Sequence, residues 1–190
     1  MTKAILFDCF GVLYVGVRSY SLSICSAENR QALSDLFTQA DYGFVTGLEF
    51  TKQAAELMNM TEQQFIEMCQ SHYHKNQEVI DLARELKAEY KIGLLTNANS
   101  TIIDQLFTSE EQAELFDDVL VSSSVGMIKP QPEFFELAAD RLGCVAEDCV
   151  LIDDVSGNIS GAEAVGMQGV VFENINQCRR DLSRLGVVNA

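Results

Sequence analysis

Short unbroken apolar runs alternate with segments of helical periodicity over most of this chain. The runs are Ala4–Phe7, Ile92–Leu95, Val119–Ser122, Cys149–Ile152 and Gly169–Phe172. Each is bounded by turn residues, and an apolar run of this length reads as a strand buried on both faces. Between them, Gln77–Glu89, Thr101–Phe107, Glu110–Leu115, Glu133–Leu142, Asn158–Val165 and Gln177–Leu185 have helical patterns. Strand–helix alternation of this kind predicts an α/β fold: a parallel five-stranded sheet with helices on both faces. The two prolines, Pro130 and Pro132, fall just before a predicted helix, where a fixed φ is tolerated.

Residues 15–75 break the alternation and show no strand pattern. Thr46-Gly47-Leu48-Glu49 and Thr61-Glu62-Gln63-Gln64 both fit a capping box, in which the first and last side chains satisfy each other's free amides. Ala27–Ala40 is helical in pattern too. The stretch therefore reads as an all-helical insertion after the first strand. The α/β core comprises 1–14 and 76–190, with the insertion at 15–75. No internal repeat interrupts this plan.

The chemistry gathers where strands end. Asp8 closes the first apolar run and is followed by a turn through Gly11. Thr96-Asn97 follows the second run, Lys129 precedes Pro130, and Asp153-Asp154 follows Cys149–Ile152. Strand tips of a parallel sheet are where ligands bind. Taken singly these features are commonplace. In this order and context they supply a nucleophile, a hydroxyl, a cation and an acidic pair, which suffice for metal-assisted phosphoryl transfer.

Composition limits the partners. The chain has 190 residues, 47% of them hydrophobic, enough for a sizeable core, and a formal net charge of −15. That field argues against nucleic acid or an anionic membrane as a partner, since both would be repelled. A small phosphate ester at a metal-loaded site is compatible with it. Six cysteines stand at 9, 25, 69, 144, 149 and 178 with no C-x-x-C pair. With no secretory signal pattern at the start, they read as reduced thiols of a cytoplasmic protein.

The motifs themselves carry a resemblance. Phe7-Asp8-Cys9-Phe10-Gly11-Val12-Leu13, Leu94-Leu95-Thr96-Asn97, Met127-Ile128-Lys129-Pro130 and Val150-Leu151-Ile152-Asp153-Asp154-Val155-Ser156-Gly157-Asn158 resemble the four motifs of the haloacid dehalogenase superfamily. The insertion resembles that family's small helical cap. The resemblance implies a Rossmann-like sheet and a magnesium-dependent phosphatase of small phosphorylated metabolites, sugar phosphates among them. It implies Asp8 as nucleophile, forming an aspartyl-phosphate, with Thr96, Asn97 and Lys129 on the phosphoryl group. Mg²⁺ would sit on Asp8, Asp154 and the main-chain carbonyl of Phe10, with Asp153 and Asn158 behind them. Physically, a phosphate dianion repels an anionic nucleophile, and a divalent cation removes that repulsion.

Position 10 departs from the family pattern. Phosphatases of this family usually carry a second Asp there, which protonates the leaving oxygen; Phe10 can neither give nor take a proton. Losing a placed acid–base typically costs ~10²–10⁴ in rate. Three readings stay open: a phosphatase of atypical or reduced activity that favours good leaving groups, with water or a cap residue replacing the acid; a silent binding or regulatory protein; or a 2-haloacid dehalogenase, whose branch carries an aromatic residue at this place. The remaining candidates read as structural or open. Alternation turns Cys9 into the core. His72 and His74 at a helix end point to different sides. Arg18, Tyr14 and Tyr20 either reach the substrate's non-phosphate part or pack against the cap.

Overall fold

In the computed structural model, which describes residues 1–188, the first apolar run forms strand β1 (Ala4–Phe7) and delivers Asp8 to its tip. A short ribbon then interrupts the core: β2 (Tyr14–Val15) pairs antiparallel with β3 (His74–Lys75), with Tyr14 opposite Lys75 and Val15 opposite His74. Between these two strands lie four helices, α1 (Arg18–Ile24), α2 (Arg30–Asp41), α3 (Gly47–Leu57) and α4 (Glu62–His72). The sequence pattern leaves this ribbon out. Two-residue strands are too short to show alternation, and their pairing partners lie 60 residues apart. The helix expected at Ala27–Ala40 begins later, at Arg30, because Ser26 and Asn29 form a turn first.

The rest of the chain builds the sheet. After α5 (Gln77–Leu86) come β4 (Lys91–Thr96), α6 (Ser100–Leu106), α7 (Ser109–Leu115), β5 (Asp118–Val121) and the one-turn α8 (Ser122–Val125). Then follow α9 (Pro132–Arg141), β6 (Cys149–Asp153), α10 (Ser156–Ala164), β7 (Gln168–Val171) and α11 (Ile175–Arg184). The strand order is β5-β4-β1-β6-β7, and every pairing in this sheet is parallel. This is a Rossmann-like α/β sheet with helices on both faces. Observed boundaries differ from the pattern by a few residues at most. α5 stops at Leu86 instead of Glu89, and Ser122 opens a helix instead of closing a strand. Asn189 and Ala190, at the end of the expected core range, lie outside the described residues.

Alternation along the strands divides the core in two. Ile5, Phe7, Ile92, Leu94, Val150 and Ile152 pack on one face with α5, α6, α7 and α11. Ala4, Leu6, Leu95, Leu120 and Leu151 pack on the other with α9 and α10. The inserted helices bury a third cluster of their own, around Leu33, Leu36, Ala54, Ala55 and Phe65. Both capping boxes read from the sequence form, Thr46 with Glu49 and Thr61 with Gln64. A third, Thr108 with Glu111, starts α7.

The insertion touches the core at the end of α2. Ser122 Oγ donates to the carbonyl of Asp41 at 2.5 Å, and Gln131 Nε2 reaches the Tyr42 hydroxyl at 3.5 Å. Gly43, at φ +78°, lies so close to Ser123 that a Cβ would stand 2.6 Å from the Ser123 carbonyl oxygen. Gly43→Ala therefore meets both a left-handed backbone and a backbone clash. We expect it to lower stability by about 1–3 kcal/mol, read as a fall in the thermal midpoint. A midpoint equal to the wild type would show that this contact between insertion and core yields freely.

Candidate active site

The parallel register fixes the first layer of the site. Phe7 pairs with Leu94 on one side and with Ile152 on the other. Asp8 is thus level with Asp153 and one residue short of Thr96. These carboxylates project from the same end of adjacent strands because no residue separates either from its strand. Asp8 is 7% exposed and Asp153 fully buried. Two buried carboxylates side by side need a cation between them.

Lys129 is that cation. It arrives from the loop before α9, itself 3% exposed. Its Nζ lies 2.8 Å from Asp8 Oδ1, 2.7 Å from Asp153 Oδ2 and 2.9 Å from the Leu95 carbonyl. All three ammonium protons are accounted for. Burial opposes the charged lysine, but Asp8 and Asp153 outweigh it and hold its pKa above the ordinary value. Asn97 fixes the loop that carries it: the Lys129 amide donates to Asn97 Oδ1 at 2.8 Å, and Asn97 Nδ2 donates back to the Lys129 carbonyl at 3.0 Å. Asn97, a candidate for touching substrate, spends its amide on the lysine backbone.

Hydrogen bonds then sort the carboxylate oxygens into occupied and free. Asp8 Oδ1 accepts from the Cys9 amide at 2.6 Å as well as from Lys129. Both oxygens of Asp153 are taken, by Val155 N at 2.8 Å, by Lys129, and by Asn158 Nδ2 at 3.0 and 3.1 Å. Among the described residues, Asp8 Oδ2 and the Asp154 carboxylate receive no hydrogen bond from any other residue. Nor does the main-chain carbonyl of Phe10. The Asp8 and Asp154 carboxylates face one locality. Oxygens of Asp8, Asp153 and Asp154 lie within 4.8 Å of one another. Gly11, at φ +90°, makes room for them, since a Cβ there would stand 2.2 Å from Asp154 Oδ2. The turn glycine is legible in the sequence; its contact with a residue more than 140 positions away is not.

Charge balance argues for a guest. Three carboxylates face one ammonium, so the site is two charges too negative. Burial, and Asp153 beside it, push the Asp8 carboxyl up to about 7 against the pull of Lys129. Burial and Asp153 raise Asp154 as well. A divalent cation supplies the missing charge, and free carboxylate oxygens plus a backbone carbonyl are the hard donors that magnesium takes. Thr96 makes a second opening. Its Oγ1 is buried and has no partner, one of three such side-chain atoms among the described residues, with Ser21 and Ser123. A buried hydroxyl without a partner is costly unless a ligand completes it.

Other sequence candidates fall away from this centre. Cys9 is wholly buried in the core, and burial followed by the nearby Asp8 charge pushes its thiol well up, away from thiolate. His72 stacks on Tyr20, centroids 3.7 Å apart, while His74 belongs to β3. Tyr14 is buried and donates its hydroxyl proton to the Leu106 carbonyl. Phe10 stacks on Tyr73 of the insertion, centroids 5.9 Å apart. Arg18 binds Asp41, at 2.9 Å. The sequence pattern does not single out Asp41, because an acid near a helix end is ordinarily solvated.

The family model for haloacid dehalogenase-like hydrolases matches residues 2–166. The chain belongs to that superfamily, and its fold is the Rossmann-like α/β sheet described above. Phosphatase MT3486 of Mycobacterium tuberculosis is 34% identical over 104 residues, 52% of this chain and 48% of that protein. The fructose-1-phosphate phosphatase YqaB of Escherichia coli is 28% identical over 48% of this chain and 49% of its own length. The chain thus spans about half the length of these relatives. Among solved structures, a HAD family enzyme of Bacteroides thetaiotaomicron, in complex with magnesium and inorganic phosphate, superposes with a TM-score of 0.74. It is 22% identical, over 91% of this chain and 95% of that one. No described helix is long and apolar enough to cross a membrane.

The Asp8 shift has a sign that can be measured. Its folded pKa, about 7, lies above the ordinary 3.8, so the neutral form is the one the metal-free fold favours. The associated stability is full below the ordinary value and is lost as pH rises through about 7. In chelator, Asp8→Asn should therefore melt above the wild type at pH 8, and the gap should close by pH ~4. Midpoints that differ equally at both pH values would show that Asp8 is not held in this way.

Proposed function

We propose that this protein is a magnesium-dependent hydrolase of small phosphate monoesters, acting through an aspartyl-phosphate on Asp8. The observation that carries this reading is the split among the three carboxylates. Asp8 and Asp154 keep oxygens free and converging, while Asp153 is spent on holding Lys129. Mg²⁺ would rest on Asp8, Asp154 and the Phe10 carbonyl, neutralising the phosphoryl group and drawing it to the nucleophile. Asp8 attacks phosphorus through one carboxylate oxygen and leaves the other to the ion. The Cys9 amide and Lys129 hold the carboxylate in one orientation, so attack needs no reorganisation. Thr96 Oγ1 donates to a phosphoryl oxygen. Lys129 offsets the charge that accumulates beside it. Asp153 and Asn158 position Lys129 and the start of α10.

Residues 15–75 serve as a cap that closes over the cleft and excludes bulk water while the acyl phosphate exists. Phe10 and Tyr73 supply an apolar wall between cap and nucleophile. The relatives named as phosphatases support the reaction class, and the acidic surface supports a small substrate over a phosphate polymer. A dehalogenase has no use for a pair of free acidic ligands, so the free Asp154 favours the phosphatase.

Two measurements test the reading. Turnover of sugar, acyl and aryl phosphates should require Mg²⁺, and Asp8→Asn should abolish it while the fold survives. Retention of most of the wild-type rate by Asp8→Asn would end the covalent mechanism. Independently, Mg²⁺ should raise the thermal midpoint of the wild type and leave that of Asp154→Ala nearly unmoved. Equal shifts in both proteins would place the ion elsewhere.

A further inference from the structure

The phosphatase reading leaves one step without a donor. An alkoxide is a poor leaving group, and Phe10 cannot protonate it. We propose that Asp41, held at the junction of cap and core by the end of α2, supplies this proton and so acts as the general acid and base of the reaction. The inference rests on the phosphoryl-transfer reading above and assigns a role within it.

Position is the first support. Asp41 is the last residue of α2, where the cap meets the core. Its carbonyl accepts from Ser122 Oγ, and the same hydroxyl receives the amide of Ala98 at 3.0 Å, two residues beyond Thr96. Its neighbour Tyr42 meets Gln131, two residues beyond Lys129. Residue 41 is thus pinned between the two loops that carry the phosphoryl-binding hydroxyl and the site's cation. Gly43 completes the docking by its approach to Ser123.

The state of the side chain is the second. Among the described cap residues Asp41 is the one buried carboxylate, at 9% exposure. A carboxylate buried at a cap–core junction is expensive, and the cap surrounds it with devices to keep it there. Arg18 Nη1 donates to Oδ2 at 2.9 Å, while Arg18 Nη2 is tied to Thr38 Oγ1 at 3.2 Å and its guanidinium lies 5.3 Å over Phe37. Arg18 is a positioning residue. Asp41 Oδ1 carries no hydrogen bond among the described residues, which leaves one oxygen to hold the proton. Burial pushes the carboxyl up to about 6, with Arg18 and then Lys129 opposing. A pKa close to neutrality serves an acid that must also act as a base.

The proton and bond count closes. A carboxylate oxygen of Asp8 bonds to phosphorus as the ester P–O bond breaks. The electron pair stays on the leaving oxygen, which takes the proton from Asp41. In the second step water bonds to phosphorus and gives its proton to the Asp41 carboxylate. The bond between phosphorus and Asp8 breaks, and both carboxyl groups return to their starting states.

The experiment compares kcat/KM for glycerol phosphate and p-nitrophenyl phosphate, with Mg²⁺, in wild type, Asp41→Asn and Asp41→Glu. Nitrophenolate leaves without a proton and glycerolate does not. Asp41→Asn should lose ~10²-fold or more on the alkyl ester and less than about tenfold on the aryl ester. Asp41→Glu should recover part of the alkyl rate. The ratio of the two esters within one protein does not depend on how much of it is folded, so a destabilised variant still reports. Equal losses on both esters would reduce Asp41 to a brace for the cap and overturn the proposal, as would no loss at all. A wild type that turns over neither ester would instead overturn the phosphatase reading, and this one with it.

Discussion

The ammonium of Lys129 is the interaction on which the site depends. Asp8 and Asp153 stand side by side on adjacent parallel strands because the register allows nothing else. Bringing two buried negative charges together is unfavourable by itself, and removing one partner of such a cluster commonly costs several kcal/mol. Lys129 bridges them, donates a third bond to the Leu95 carbonyl, and so ties the tips of β1, β4 and β6 into one unit. Asn97 then holds the Lys129 backbone from both sides. The orientation of Asp8 is therefore set by the same bonds that make the sheet end stable. One ammonium against three carboxylates still leaves the cluster short of positive charge, which is the physical basis for expecting a divalent ion.

Much of this was legible in the sequence, for identifiable reasons. The five core strands are continuous apolar runs because parallel sheets are covered on both faces, and such runs stand out. Asp8, Thr96 and Asp153 close or follow those runs directly, which is why they gather at one end of the sheet; Lys129 comes from the loop before α9. Capping boxes at Thr46 and Thr61 announced helix starts because the motif is local. What escaped was non-local. The β2–β3 ribbon pairs residues 60 positions apart with two residues on each strand. The clash that makes Gly11 necessary involves Asp154. Asp41 looks like any acid on a helix until tertiary packing buries it. Spacing along a chain carries no information about which carboxylate a neighbouring domain will cover.

Phe10 shows how one position can be silent in one respect and active in another. Its side chain stacks on Tyr73 of the insertion, while its carbonyl accepts no hydrogen bond among the described residues. A backbone donor is indifferent to side-chain identity. An aromatic residue can thus replace an acidic one and leave that carbonyl unchanged as an acceptor, while the apolar surface it adds strengthens nearby charge interactions.

The ribbon of β2 and β3 has an evolutionary consequence. The chain leaves the core at Tyr14 and returns at Lys75, and these residues are paired directly; the Asn76 amide bonds the Leu13 carbonyl just below. Seen from the sheet, the four helices between them amount to a long loop whose ends already touch. Lengthening, shortening or exchanging such a loop changes the closure entropy only slowly with its length. The core can therefore retain its catalytic strand tips while whole caps are transplanted onto them, and new substrate preferences can arise by grafting at two adjoining backbone positions, with no redesign of the sheet.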